Sequence, residues 1–278
     1  MTAVNLTELL RTASEEGHAL AGLVVLGWED ALAYVEAAEE VGCPVILQAG
    51  PGCRAHTPVP VIGRMLRHLA DQASVPVVVH LDHGYTVEEC LEGIDHGFTS
   101  LMFDGSKLPI SENVALTSGL VEVAHPAGVS VEGEVGYVGY AAGAASRFTD
   151  PEEVALFDRE SGADAIAISV GNVHLQTEPT DGIDFEALSA IETVTRKPLV
   201  LHGGSGIPEA DRIRLATETR ICKFNFGTEL RQTFGKALRQ DLAERPDVFD
   251  RISILKGTVP AVRAAARHLF ETVTVSRN

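Results

Sequence analysis

The feature that most constrains this chain is an alternation of two kinds of segment. Short runs rich in Val, Ile and Leu occur at 18–26, 44–48, 76–81, 100–103, 130–133, 165–170, 198–202 and 221–226. They are continuously apolar rather than alternating, as expected of strands buried on both faces. Between them lie amphipathic stretches, such as 29–41, 87–96, 151–161, 185–195 and 208–217. The Thr149-Asp150-Pro151-Glu152-Glu153 segment carries the signals of a helix start: a cap, a first-turn proline and early acids. Eight strand–helix units follow one another, each about 20–35 residues long, which is the rhythm of βαβ repeats. Eight such units favour a closed (β/α)8 barrel of the TIM type, an α/β fold, over an open doubly wound sheet. No low-complexity linker divides the chain, so a single domain over 1–278 is expected, with 246–278 as a C-terminal helical tail.

Charge and cysteine content narrow the function. With 22 Lys+Arg against 39 Asp+Glu, the formal charge is −17. Such a chain repels a phosphate backbone, so nucleic acid is not an expected partner. Backbone N–H groups at one site can still hold a small phosphate. No apolar run is long enough for a membrane span, and Met1 to Leu10 shows no signal-peptide pattern, so the expected location is cytoplasmic. Cys43, Cys53, Cys90 and Cys222 form no C-x-x-C pair. They read as small buried residues in a reducing compartment.

The residues that carry chemistry stand at the ends of the strand-like runs, which a barrel gathers on one face. They are His80-Leu-Asp82-His83, Asp104, Glu132-Gly-Glu134, His174, His202-Gly-Gly-Ser-Gly206 and Asn225-Phe-Gly-Thr228. His83, His174 and His202 come from different strands. Three imidazoles with an open fourth position describe a catalytic zinc site, and the metal would act as a Lewis acid. Asp82 precedes one of these histidines. It reads either as the acid/base for a substrate hydroxyl or as an acid orienting a histidine. Asp104 and Glu134 are candidates for a second cation or for orienting the ligands. Glu132, two residues from Glu134, should face the same side. The turn Gly203-Gly204-Ser205-Gly206 leads into a helix and suits a phosphate. Asn225 to Thr228 repeats the arrangement on the next strand. The uncharged, Gly- and Ala-rich segment 136–146 is either a lid over the site or a plain surface loop.

Together His80-Leu-Asp-His83, Val131-Glu-Gly-Glu-Val-Gly136, Leu201-His-Gly-Gly-Ser-Gly206 and Lys223-Phe-Asn-Phe-Gly-Thr-Glu-Leu230 resemble the signature segments of class II fructose-bisphosphate and tagatose-bisphosphate aldolases. The likeness runs from about residue 6 to about residue 240. It implies reversible retro-aldol cleavage of a phosphorylated ketose to dihydroxyacetone phosphate and an aldehyde. It implies catalytic Zn2+ on His83, His174 and His202, and Asp82 as the acid/base. Asp104 and Glu134 match positions that hold a second metal in some members. Gly203, Gly204, Ser205, Asn225, Phe226, Gly227 and Thr228 match the grip on dihydroxyacetone phosphate, often ordered by Na+ or K+. A dimer or tetramer is usual. A metal-dependent hydrolase and a non-catalytic sugar-phosphate sensor are the alternative readings.

The departures from the family pattern fall elsewhere. Leu175 stands where a glycine usually follows the second histidine. The first-strand segment is Ala21-Gly-Leu-Val24 in place of Ala-Phe-Asn, and the second-strand turn is Ala49-Gly-Pro-Gly-Cys53. No Asp or Glu lies between Glu134 and Asp150, where the family carries loop acids, so Tyr137, Tyr140 or water would have to serve. The expectation is a retained retro-aldol mechanism with a different aldehyde half, one that lacks a phosphate.

Overall fold

In a computed structural model that describes residues 2–179 and 182–273, the eight apolar runs are eight parallel strands. They are β1 (Leu20–Val24), β2 (Val45–Ala49), β3 (Val77–Gly84), β4 (Ser100–Phe103), β5 (Ser130–Val135), β6 (Ala165–Ile168), β7 (Leu199–Leu201) and β8 (Ile221–Phe226). Each pairs with the next, and β1 pairs with β8. That last pairing closes the barrel and excludes the open sheet. Nearly every strand residue is buried, because helices cover the outer face and side chains fill the inner one. This is why the runs lack a two-residue alternation.

Helix starts follow local chemistry. The Asp150 carboxylate accepts from the N–H of Glu152 at 2.8 Å and opens the helix Pro151–Ser161. Thr86 caps Val87–Asp95 through the N–H of Glu89. Each such cap contributes about 1 kcal/mol. The helix Leu6–Glu16 was not among the sequence expectations. Its Leu6, Leu10 and Ala13, on one face, close the N-terminal end of the barrel against Leu20, Ile46, Val78, Met102, Ala165, Val200 and Cys222. Truncating Leu10 to Ala would cost about 2–5 kcal/mol by the usual cost of a core cavity.

The expected tail is helical over Arg251–Lys256 and Val259–Val273; 274–278 lie outside the described residues. Val259–Val273 packs on Trp28–Val41 and on Thr228–Glu244, burying Val262, Leu269 and Phe270. No helix among the described residues is long and apolar enough to cross a membrane.

Above the apolar plug, the barrel interior turns polar. Gln48, His80, Glu132 and Lys223 are all buried there. Lys223 Nζ lies 2.7 Å from Glu132 and 3.4 Å from His80 Nε2, and His80 Nδ1 is 2.8 Å from Ser100 Oγ. This polar layer carries the candidate site on its upper side.

Candidate active site

The floor of the site is made by the end of β3. Its register with β4 shifts between Leu81 and Gly84, and His83 takes a left-handed backbone with φ 52°. Adjacent strand residues ordinarily face opposite ways. The irregularity brings both Asp82 and His83 into the mouth. A non-glycine residue in that conformation costs about 1 kcal/mol or more, so neighbours must hold it. Arg54, buried in the helix Pro51–His56, supplies the hold. Its guanidinium donates to the carbonyls of Asp82 at 2.6 Å and His83 at 2.8 Å and to that of Ala49, and it pairs with Glu89 at 2.8 Å. Nothing in the local sequence around Arg54 signals this role.

Asp82 is clamped on one side. Gln48 Nε2 and Asn225 Nδ2 both donate to Asp82 Oδ1, at 3.0 and 3.1 Å. Gln48 reaches it because position 22 is glycine: a Cβ there would lie 1.7 Å from Gln48 Oε1. Asp82 Oδ2 is left facing Gly50, whose missing side chain keeps that side open.

His83, His174 and His202 converge as the sequence suggested. Their ring centroids are 5.2, 4.6 and 5.5 Å apart for the pairs 83–174, 83–202 and 174–202. One nitrogen from each lies within 4.8 Å of the others. His83 Nε2 and His202 Nδ1 are buried without hydrogen-bond partners. Buried polar atoms are rarely left so, and a shared divalent ion satisfies both. In His83 and His202 the other ring nitrogen is held by a carboxylate, the arrangement that orients metal-binding imidazoles. His83 Nδ1 is 2.8 Å from Asp104, and His202 Nε2 is 3.3 Å from Glu132. Asp104 in turn accepts from Ser106, N–H and hydroxyl. Glu134 Oε2 is unpartnered and lies 3.7 Å from His83 Nδ1 and 3.8 Å from His202 Nδ1. His83, Asp104 and Glu134 form a second possible ligand group on the far side of the same imidazole.

Burial and local charge set the protonation of the cluster. Burial pushes His174 down to about 3, with the charge of His83 adding to it. Burial and His83 likewise hold His202 well below the usual imidazole range. Both rings are therefore neutral near pH 7, the form a ligand needs. Burial opposes charge at His83 too, but Asp82, Asp104 and Glu134 outweigh it and raise the group to about 9. Glu134 is raised to about 8 by burial and then by Asp104. At Asp82 burial is overcome by His83 and His202, which keep the carboxyl below its ordinary value.

Above this floor opens a cavity of about 280 Å³, at the small end for ligand sites and suited to a metabolite rather than a polymer. Gly203, Ser205, Asn225, Gly227 and Thr228 line one side. Gly203 has φ 69°, and a Cβ on it would meet the Val173 carbonyl at 2.2 Å; only glycine allows that turn. Gly204 and Phe226 pack against each other beneath. Arg212 braces the turn by donating to the carbonyls of Ile207 and Ser205. Val24, Leu26, Pro51, Cys53 and Leu175 add apolar lining around that grip. Leu175 adopts φ 58°, so it keeps a backbone that favours glycine while adding a half-exposed side chain. Among the described residues Arg231 is the only Lys or Arg lining the cavity. Sequence reading missed it, although its place three residues after Thr228 puts it on the same helix face. Segment 136–149 is pinned rather than free. Tyr137 and Arg147 exchange backbone hydrogen bonds at 2.8 Å, and Gly139 and Ala141 bond to the backbone of His174 at 2.8 and 3.0 Å.

Comparison with known proteins identifies the family. Residues 4–278 match the family model described as fructose-bisphosphate aldolase class-II. A Bacillus subtilis protein described as a probable fructose-bisphosphate aldolase is 39% identical over 259 residues, 90% of each chain. A 6-phospho-5-dehydro-2-deoxy-D-gluconate aldolase of Bacillus licheniformis is 35% identical over 274 residues, 96% of this chain and 94% of that one. Among solved structures, the YdjI aldolase of Escherichia coli K12 superposes with a TM-score of 0.85 at 31% identity, covering 98% of this chain and 97% of that one. On this match over nearly its whole length, the chain belongs to the class II fructose-bisphosphate aldolase family.

Proposed function

We infer that this chain is a metal-dependent class II aldolase, a lyase that reversibly cleaves a ketose 1-phosphate or ketose 1,6-bisphosphate into dihydroxyacetone phosphate and an aldehyde. The observation that carries the reading is the juxtaposition at the floor: one half-clamped carboxylate, Asp82, beside three imidazoles with two unpartnered buried nitrogens. The hydrolase and sensor alternatives are not favoured, since the relatives matched over most of the chain are described as aldolases.

In this reading His83, His174 and His202 hold the ion, and an all-imidazole set suits zinc. Zinc would supply a Lewis acid for the ketose carbonyl. Asp104 and Glu132 keep His83 and His202 in the tautomers that present Nε2 and Nδ1. Asp104 thus acts mainly by orienting a ligand, with a second ion on His83, Asp104 and Glu134 as the competing use of the same oxygens. Asp82 takes the proton from the C4 hydroxyl through Oδ2, and Gln48 and Asn225 keep Oδ1 from turning in. Ser205, Asn225 and Thr228, with the backbone of Gly203, Gly204 and Gly227, hold the phosphate of the three-carbon half. The apolar lining selects the aldehyde half, and Arg231 gives that end one cationic partner. The aldehyde half is therefore one that lacks a phosphate, carrying at most a carboxylate toward Arg231, rather than a polyhydroxyl chain held by amides.

The test is release of dihydroxyacetone phosphate from a panel of ketose 1-phosphates and 1,6-bisphosphates, with and without chelator. The expected result is chelator-sensitive turnover, restored by zinc, and best with a substrate other than fructose 1,6-bisphosphate. Chelator-resistant turnover would remove the metal from the account. Strong preference for fructose 1,6-bisphosphate would remove the claim about the aldehyde half.

A further inference from the structure

Cleavage leaves a three-carbon carbanion that must gain one proton, and the donor has to face the cavity. Among the described residues Asp82 is the only carboxylate lining it, and Asp82 is already the group that accepts the hydroxyl proton. Asp104 is tied to His83 and Ser106. Glu134 accepts from the N–H of Val138 at 3.2 Å and lies beneath the floor. No acid occurs between Glu134 and Asp150. Two phenols remain at the mouth, Tyr85 after β3 and Tyr140 in the segment after β5, and both line the cavity.

We propose that Tyr140, beside Tyr85 at the mouth, is the proton donor to the three-carbon fragment; this rests on the aldolase reading above. Four observations select it. Its ring stacks on His174, with centroids 5.0 Å apart and planes 29° from parallel. Its backbone is fixed on both sides: its own N–H donates to Ala144 at 3.0 Å, and the neighbouring residues clasp His174. The Tyr85 side chain stands beside that of Tyr140 at the mouth, and both line the cavity. A second hydroxyl is thus at hand for the phenolate left behind. Tyr137, the other tyrosine of the segment, does not line the cavity; its ring lies under Lys107, with Nζ 5.1 Å from the ring centre.

The atoms balance. Asp82 gains the C4 hydroxyl proton as the C3–C4 bond breaks and the electron pair stays on C3. The Tyr140 hydroxyl then gives its proton to C3, forming the new C–H bond. The proton held by Asp82 returns through water at the mouth to the tyrosinate, so neither product nor enzyme carries a net change. Condensation runs the same steps backwards, with Tyr140 regaining the proton.

The test uses the zinc-loaded full chain and its Tyr140→Phe, Tyr85→Phe and Tyr137→Phe variants. Phenylalanine keeps the stacked ring and removes only the hydroxyl. Three quantities are read for each: release of dihydroxyacetone phosphate, exchange of solvent deuterium into dihydroxyacetone phosphate by NMR, and aldehyde release when hexacyanoferrate(III) is present to oxidise the carbanion. In Tyr140→Phe, release and exchange should both fall by about 10²-fold, the scale of a lost general acid. Hexacyanoferrate should restore aldehyde release to within a few-fold of the unmodified protein, with zinc content unchanged. Tyr85→Phe should show a smaller fall of the same kind, and Tyr137→Phe none. Unchanged exchange in Tyr140→Phe overturns the proposal. So does a loss that the oxidant does not relieve, which marks a purely structural clasp. If the unmodified protein neither cleaves nor exchanges with any ketose phosphate offered, the aldolase reading itself fails and the proposal falls with it.

Discussion

At the floor of the cavity nearly every polar side chain is gripped by another buried one. Asp82 is held by Gln48 and Asn225, His83 by Asp104, and His202 by Glu132, which in turn pairs with Lys223. The outer side is built differently. Val24, Leu26, Pro51 and Leu175 present apolar surface, and Arg231 is exposed, its Nε donating to the carbonyl of Gly227 at 3.2 Å. A network of buried, hydrogen-bonded groups tolerates little change, because removing one member leaves another unpaired. An apolar wall with one surface cation tolerates much. On the proposed reading the reaction is set at the floor and the choice of aldehyde at the wall, so the two should respond to mutation independently.

The largest effect that would sharpen this contrast is loss of a ligand. His202→Ala should lose bound zinc and at least about 10³-fold in turnover on every substrate, since the metal's share of transition-state stabilisation is several kcal/mol. Retained zinc with near-normal turnover would break the contrast. Asp82→Asn keeps the shape of the clamp and should lower kcat on the order of 10²-fold or more with zinc retained; parallel loss of metal would assign Asp82 to the ion instead.

Next comes pH. In the metal-free protein His83 is raised from the usual 6.5 to about 9, so below that it carries a proton that must leave before Nε2 can bind. Zinc affinity should rise on the order of tenfold per pH unit between 7 and 9 and then level off. The same raised value means that His83 helps hold the metal-free fold at low pH, and that this contribution fades as pH rises through about 9. A flat affinity profile measured by competition with a chelator would contradict this assignment. The smallest effect belongs to the wall. Arg231→Met should raise KM about tenfold for substrates with a terminal anion, the cost of one charge-assisted hydrogen bond, while leaving zinc content and turnover of uncharged aldehydes as they were. A fall in zinc content would show that wall and floor are not separable.

Much of the floor was legible in the sequence because its residues sit at strand ends, where barrel topology alone gathers them. His83, His174 and His202 needed no more than the count of strands. The helpers were not legible, since their partners are distant in the chain. Arg54 braces residues 28 and 29 positions away. Gln48 reaches Asp82 only because Gly22, on another strand, leaves room. The segment 136–146 left lid and plain loop equally open. Its attachment is a pair of backbone bonds to His174, which side-chain composition does not encode. Composition also left Tyr137 and Tyr140 equivalent, and only the stacking on His174 and the contact with Lys107 separate them.

The central claim is that three imidazoles share one divalent ion. Zinc K-edge X-ray absorption of the full chain loaded with one equivalent of zinc tests it most directly. The account predicts a first shell dominated by three imidazole nitrogens at about 2.0–2.1 Å, completed by a light oxygen donor. A shell made mainly of carboxylate oxygens, or failure to retain one equivalent of zinc, would contradict it.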